Sequence, residues 1–455
     1  MADQVSESPW LQLEALANSA TPAEIEAFLE ALPAGEVGRS LLRLSEEVRA
    51  QILQALPPES AAQVLEQIPE SEAADLLESI EPTEAAAIVE ELPSDERADI
   101  LRDVEEQDAE EILSRLPIST EREARALTEY PDDCAGGLMI TEYLNYPQEQ
   151  TVGGVVHDIR ANVDKYRDFD VQYAYVTGPR GVLAGVLNMR QLFMSSEHTP
   201  VSNVMVREPI SVRETASVDE LRDLFDRHNF MAVPVVDSDR RLLGLVRAAD
   251  VEEALRERGD SDFRKSQGII GGDELRTMPV LTRVRRRLSW LSVNVLLNIL
   301  AASVIAFYQD TLAAVIALAV FLPIISDMSG CSGNQAVAVS IRELTLGLVR
   351  PTELLRVWVS ELVVGVCNGA ALGALIAAVA WWWKGNPVLG LVVGLALACN
   401  TLVAVSVGGL VPLFLKRLKM DPALASGPIL TTITDMCGFF LVLSLASVWL
   451  RHLVV

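Results

Sequence analysis

The residue in this chain best placed to do chemistry is Asp435, in the stretch GPILTTITDMCGFF. Thirteen uncharged residues separate it from Asp421 and fifteen from Arg451, so it sits near the middle of an apolar run. Burying a carboxylate at bilayer depth costs roughly 3 kcal/mol on insertion scales, so such a group normally faces a bundle interior or a water-filled path. Thr431 and Thr432, four and three residues earlier, share its helical face, and Pro428 one turn further back can free a backbone carbonyl. A carboxylate capping a neighbouring helix is the plainer alternative. A second polar stretch, SDMSGCSGNQ at 326–335, places small residues, an Asp, an Asn and a Gln in another apolar run. There backbones could pack closely, or the helix could unwind beside a cavity. The two stretches together suggest a pore. Carboxylate, hydroxyl and carbonyl oxygens suit a hard cation, and Mg²⁺ is usually held by one or two carboxylates plus its own waters. One chain supplies one deep carboxylate, so a two-fold dimer facing two copies of Asp435 makes a more complete site. Asn294, Asn298 and Asn400 read as interhelical hydrogen bonds rather than ligands.

A second group of candidates lies in the first 130 residues, where Asp95 and Asp99 stand four apart. On a helix they share a face and could hold a divalent ion against a partner domain. The segment repeats every twelve residues: Leu32, Leu44, Leu56, Ile68, Ile80, Leu92, Val104 and Leu116, with Pro33, Pro57, Pro69, Pro93 and Pro117 each following at once. Each unit reads as a two-turn helix with Pro and acids in its first turn, which fits the missing amide partner and the helix dipole. No single unit can bury its own apolar stripe, so consecutive helices should stack into a superhelix. Most of the acids here read as a solvated face.

Charge is divided unevenly along the chain. The formal net charge is -26: residues 1–130 contribute -23, 131–260 contribute -8 and 261–455 contribute +5. An acidic half is joined to an apolar half, and the acid excess argues against nucleic acid, which needs clustered Lys and Arg. The start MADQVSESPWLQLEAL has no basic region followed by an apolar run, so no secretory signal is expected and the first half stays in the cytoplasm. Five scattered cysteines fit reduced thiols, the four in the apolar half reading as small buried hydrophobes.

Gaps between charges place five spanning helices near 288–309, 312–340, 360–383, 387–414 and 423–450. Ten Lys and Arg, from Arg283 to Lys419, fall in the connections on one side, against Lys384 and Arg451 on the other. By the positive-inside rule the N-terminus is cytoplasmic and the C-terminus external, in a multi-pass protein of the cell's inner or plasma membrane. Between the two halves, AYVTGPRGVLAGVLNMRQLF and AVPVVDSDRRLLGLVRAADVEEAL each read strand, Gly or Asp turn, strand, helix, and each follows a helix. This duplicated pattern resembles a tandem pair of CBS domains. It contains no nucleophile, base or Gly-rich phosphate loop, which favours regulation over catalysis.

The whole arrangement resembles the MgtE family of magnesium channels and transporters. The stretches that carry the resemblance are YPDDCAGGLM (130–139), SGNQAVAVSIREL (332–344) and, most diagnostic, DPALASGPILTTITD (421–435). The expected fold is multi-domain: an α-superhelical N-terminal repeat domain (1–130), an α/β CBS-domain pair (131–260), a linker or plug helix (261–287) and an α-helical membrane domain with five transmembrane helices (288–455). The resemblance implies a homodimer in the lipid bilayer, with a pore on its two-fold axis between the second and fifth spans. Asp435 matches the family's pore carboxylate for hydrated Mg²⁺, and Asn334 falls in the second span's pore-side motif. Asp95, Asp99 and Asp250 match the carboxylates through which cytoplasmic Mg²⁺, at once substrate and regulatory ion, closes the pore.

The chain also departs from the family. Arg258 and Ser261 stand where further acids are common, leaving Asp262 nearby; Asn229 also replaces an acid, and Cys331 an Asn. Gln191 stands at the position of the ATP-ribose carboxylate while the aromatic Phe230 is kept, which puts ATP at the CBS pair in doubt. Readings still open are a carrier of another divalent cation (Co²⁺, Mn²⁺, Ni²⁺) and a CBS-regulated membrane receptor or scaffold that moves nothing. An enzyme is not expected, because neither a second carboxylate nor a His accompanies Asp435 at a catalytic spacing.

Overall fold

The twelve-residue rhythm becomes a stack of short helices. In the computed structural model these are α1 (Pro9–Ser19), α2 (Pro22–Ala31), α3 (Ala34–Leu41), α4 (Glu46–Ala55), α5 (Pro58–Leu65), α6 (Glu70–Glu78), α7 (Pro82–Glu91), α8 (Ser94–Asp103), α9 (Glu106–Leu113) and α10 (Ile118–Thr128). The structure describes residues 9–166, 169, 172–269, 274, 276, 278 and 280–453, and the chain divides into two units, Met1–Glu257 and Arg258–Val455. Helices pack on ones two further along, α2 on α4, α4 on α6, α6 on α8 and α8 on α10. The residues spaced by twelve sit at the helix ends and point inward: Leu44, Leu56, Ile68, Ile80, Leu92, Val104 and Leu116 are all buried in one core.

Proline placement differs in detail from the sequence expectation. Pro33, Pro57, Pro69, Pro93 and Pro117 are cap residues just before α3, α5, α6, α8 and α10, and the first-turn prolines are Pro22, Pro58 and Pro82. A cap residue takes extended angles that the proline ring already favours. Three buried charged side chains are exceptions to the solvated face. Arg49 pairs with Glu72 at 2.6 Å, both buried. Arg97 donates from Nε to Val89 O (2.9 Å) and from Nη2 to Leu92 O (2.7 Å), occupying the carbonyls that α7 leaves open at its end.

The duplicated passages build two matching sheets. In the first, β1 (Leu144–Pro147) lies parallel to β2 (Tyr173–Thr177), which pairs antiparallel with β3 (Leu183–Asn188), and β4 (Val206–Arg207) adds the edge. In the second, β5 (Val212–Arg213) lies parallel to β6 (Ala232–Val236), which pairs antiparallel with β7 (Leu242–Arg247). The central hairpins share a register irregularity at the same place, Val176/Thr177 and Val235/Val236. Helices α11 (Val152–Ala161) and α12 (Met189–Met194) flank the first sheet, and α13 (Val218–Arg227) and α14 (Ala248–Ser266) the second. The fold is therefore a CBS-type pair.

Of the segment 261–287 expected as a linker helix, residues up to Ser266 continue α14, and residues from Val280 begin the next helix. Residues 270–273, 275, 277 and 279 lie outside the described residues.

Among the described residues, the second unit holds five helices long and apolar enough to cross a membrane: α15 (Val280–Phe307), α17 (Leu322–Thr345), α18 (Leu354–Lys384), α19 (Pro387–Arg417) and α20 (Pro422–Val448). Short helices α16 (Gln309–Ala314) and α21 (Leu450–Leu453) complete it. The first span starts eight residues earlier than expected because its basic run is helical too. The second starts later, because α16 and a 3₁₀ turn at Ile316–Val320 occupy the approach.

Helix α19 is the hub, packed on α17, α18 and α20. A Cβ on Gly394 would lie 2.7 Å from both Gly373 O and Ala377 Cβ, the close approach that small residues permit where lipid gives little driving force for helix association. Cys331, Cys367 and Cys399 are exposed on this unit, contrary to the expected burial. In a bilayer the surrounding solvent is itself apolar, so a thiol need not be buried in protein.

Candidate functional site

Helix α17 runs unbroken through 326–335, so the small residues there serve close packing rather than unwinding. A Cβ on Gly333 would lie 2.8 Å from Leu430 Cδ2 and 3.0 Å from Ala404 O, which sets α17 tight against α20 and α19. This packing brings Ser326 to Asp435, and the Ser326 hydroxyl donates to Asp435 Oδ1. Asp435 is 9% exposed. Its partner is a side-chain hydroxyl, not the free amides of a helix start, so the capping alternative finds no support. Behind it, Asn400 of α19 donates from Nδ2 to Thr434 O at 3.0 Å, fixing the backbone next to the carboxylate.

The other expected pore residues are arranged as follows. Thr431 and Thr432 donate to their own helix, to Gly427 O (3.0 Å) and Pro428 O (2.7 Å), which leaves their oxygens able to accept. Pro428 lies inside α20 and lacks the amide that would serve the carbonyl four residues earlier. Asn334 is exposed, eight residues beyond Ser326 and therefore roughly 12 Å further along α17. Thr431 and Asp327 are exposed as well. Asn294 and Asn298, expected to bond between helices, instead donate to Trp290 O and Asn294 O of their own helix; Asn400 alone of the three makes the interhelical bond.

In the first unit, Asp95 and Asp99 lie on α8, and Asp250 is in the first turn of α14. Arg247, the last residue of β7, joins Asp95 to Asp250. Its Nη2 is 3.2 Å from Asp95 Oδ2, its Nε is 3.0 and 2.8 Å from the two Asp250 oxygens, and its backbone N–H donates to Asp250 Oδ2 at 3.2 Å. Asp99 pairs with Arg102 at 2.7 Å.

Around these pairs the acids crowd. Burial, then repulsion by Asp95, Glu70, Asp99 and Glu66, pushes Glu96 up to about 8. Burial also raises Asp99 to about 6 against the opposing pull of Arg102, with Asp95 and Asp132 adding repulsion. Loss of hydration, then Asp99, Glu257 and Asp103, lifts Glu70 to about 7. Glu70 remains exposed, so solvent screens it and the strain of like charge falls most firmly on the half-buried Glu96 and Asp99. Burial raises Asp95 as well, with Arg247 opposing.

A third feature is a cavity of about 940 Å³ between the two CBS-type modules, lined by Tyr173, Asn188, Gln191, Asn229 and Phe230 among others. Gln191 and Phe230 therefore face the same space. Sequence reasoning did not single out Ser326, which lay inside a stretch noted only for its small residues, nor Arg247, which carries no motif.

Three family models match the chain: a divalent cation transporter model over residues 322–445, an intracellular N-domain model of the same family over 20–133, and a CBS domain model over 201–257. The chain is 30% identical over 335 residues to the magnesium transporter MgtE of Bacillus subtilis, covering 74% of each. It is 32% identical over 337 residues to the protein of the same name from Thermus thermophilus, covering 73% of each. Among solved structures, the soluble part of a magnesium transporter matches 55% of this chain and 98% of its own, with a TM-score of 0.50 and 25% identity. Five apolar spans, a CBS-type pair, an acidic helical repeat and these matches carry one conclusion: the chain belongs to the MgtE family of divalent cation transporters.

Proposed function

We propose that the protein imports Mg²⁺ across the cell's inner or plasma membrane, through a pore on the two-fold axis of a homodimer. The observation that carries this reading is Asp435, a buried carboxylate within a spanning helix. It is held by one hydroxyl and preceded along the same helix by acceptor oxygens at Thr431 and Thr432. Two such carboxylates facing each other would hold a cation through its water shell, which suits an ion that gives up water reluctantly. The exposed polar residues Asn334 and Thr431 then line the path rather than meet lipid, with Pro428 supplying a freed carbonyl nearby. The names of the relatives support magnesium as the ion, and the reading is transport rather than catalysis.

Ten basic residues in the connections on one face of the spans favour a cytoplasmic N-terminal unit and an external C-terminus. In that setting the acidic unit senses its own cargo. Cytoplasmic Mg²⁺ neutralises the crowded carboxylates around Asp95, Asp99 and Asp250, favours the compact state and closes the pore, since a ligand that binds one state better shifts the population towards it. Nucleotide is left out of this reading, because Gln191 stands in the cleft where a ribose-binding carboxylate is expected.

Mg²⁺ uptake into proteoliposomes tests the pore. The wild type takes up Mg²⁺ and Asp435→Ala falls to the rate of empty vesicles; equal uptake by the two removes Asp435 from the path. Competition by Co²⁺, Mn²⁺ and Ni²⁺ in the same assay ranks the ions.

A further inference from the structure

The contact between α8 of the repeat domain and the second CBS-type module already contains a cation, and it belongs to the chain. We propose that Arg247 is a tethered cation that docks the repeat domain on this module without a divalent ion. Its guanidinium lies between Asp95 on one side and Asp250 on the other, and it engages one oxygen of the first and both of the second. A Mg²⁺ ion bridging the same carboxylates would need their oxygens at about 2.1 Å in octahedral order, and three of the four are already spent on N–H donors. Arg keeps its charge at any physiological pH and cannot diffuse away, so this bridge needs no bound divalent ion.

Neighbouring contacts also run directly between protein groups. Ser94 donates from N and Oγ to the Glu142 carboxylate at 3.1 and 2.7 Å, and Thr141 N donates to Ser94 Oγ at 2.9 Å. Ala98 and Leu127 share one buried core with Met139, Val218, Leu221 and Val251. The dock is thus an apolar contact with a charged clasp at its edge. This inference rests on the sensing function proposed above and narrows it: of the carboxylates around Asp95, Asp99 and Asp250, the magnesium-responsive set becomes Glu96, Asp99 and their neighbours, while Asp95 and Asp250 are held by Arg247.

The test uses the full-length chain in nanodiscs, with two readouts: protease cleavage between the repeat domain and the CBS-type pair in EDTA and in Mg²⁺, and the number of Mg²⁺ bound per chain by calorimetry. In EDTA the wild type resists cleavage, and Arg247→Gln is cut roughly five- to tenfold faster, the loss expected when one partner leaves a half-buried pair. Arg247→Lys restores resistance only in part, because an ammonium keeps the charge but not the fork that reaches both carboxylates. Asp95→Asn in the wild-type background removes no bound Mg²⁺. The proposal is overturned if Arg247→Gln resists cleavage in EDTA as the wild type does, or if Asp95→Asn costs one bound ion. If Arg247→Gln opens in EDTA while Mg²⁺ protects no variant, the clasp stands and the magnesium-sensing function fails.

Discussion

Asp435 and the carboxylates of α8 are both sites of buried negative charge, and the chain handles them in opposite ways. In the membrane unit one carboxylate stands alone, with Ser326 as its hydrogen-bond partner, and the surrounding spans contribute hydroxyls and carbonyls rather than cations. In the first unit the carboxylates are crowded until burial and mutual repulsion raise Glu96 to about 8, and two guanidinium groups are set among them. An isolated buried charge attracts an ion strongly but gives little graded response. A crowd of acids responds to cation concentration, since each neutralised member eases the rest. The first arrangement suits a path and the second a gauge.

The comparison breaks most sharply at Asp435→Asn, which keeps the shape and the bond from Ser326 but removes the charge. Uptake is expected to fall to background, whereas Asp99→Asn should leave transport in low Mg²⁺ intact and change only its inhibition by Mg²⁺. If both substitutions merely shifted inhibition, the two regions would not be distinct.

Next in size is the packing that isolates Asp435. Gly333→Leu forces a side chain against Leu430 and the Ala404 carbonyl, and overpacking of this kind costs about 3 kcal/mol. The membrane unit should melt earlier in detergent while the first unit's transition is unmoved; a single shared shift would deny their independence.

A smaller effect is expected from pH. Glu96, Glu70 and Asp99 titrate near 8, 7 and 6 in the folded unit, against 4.5, 4.5 and 3.8 for the free side chains. Between about pH 4 and 8 the folded unit holds protons that an unfolded chain has lost, so these groups make stability fall as pH rises through that window. Hydrogen exchange of α6 and α8 in EDTA, corrected for intrinsic rates, should quicken from pH 6 to 8. Millimolar Mg²⁺ should flatten that slope, and an unchanged slope would remove the acids from the gauge. Smallest is Ser326→Ala, where loss of one hydrogen bond of about 1 kcal/mol should slow uptake roughly two- to fivefold without changing inhibition.

Much of the architecture was legible in one dimension because it rests on periodicity. Residues spaced by twelve from Leu44 to Leu116 had to share a side of the stack, and runs without charge from 288 to 450 had to be spans; both follow from local geometry and the cost of burying charge. Asp435 was conspicuous for the same reason, as a lone charge in an apolar run. Which groups touch it was not legible. Ser326 lies 109 positions earlier and Asn400 lies 35 earlier, and they meet Asp435 and Thr434 only because Gly333 lets three helices close on one another. Arg247 was hidden more deeply. Nothing local distinguishes it from the chain's other arginines, and its partner Asp95 is 152 positions away on a different kind of domain. The sequence by itself determined where charge is scarce and where it is crowded, because composition and period are local properties. Only the tertiary structure decided which charges are answered by the chain and which are left for an ion, because that depends on which distant side chains folding brings within hydrogen-bond reach.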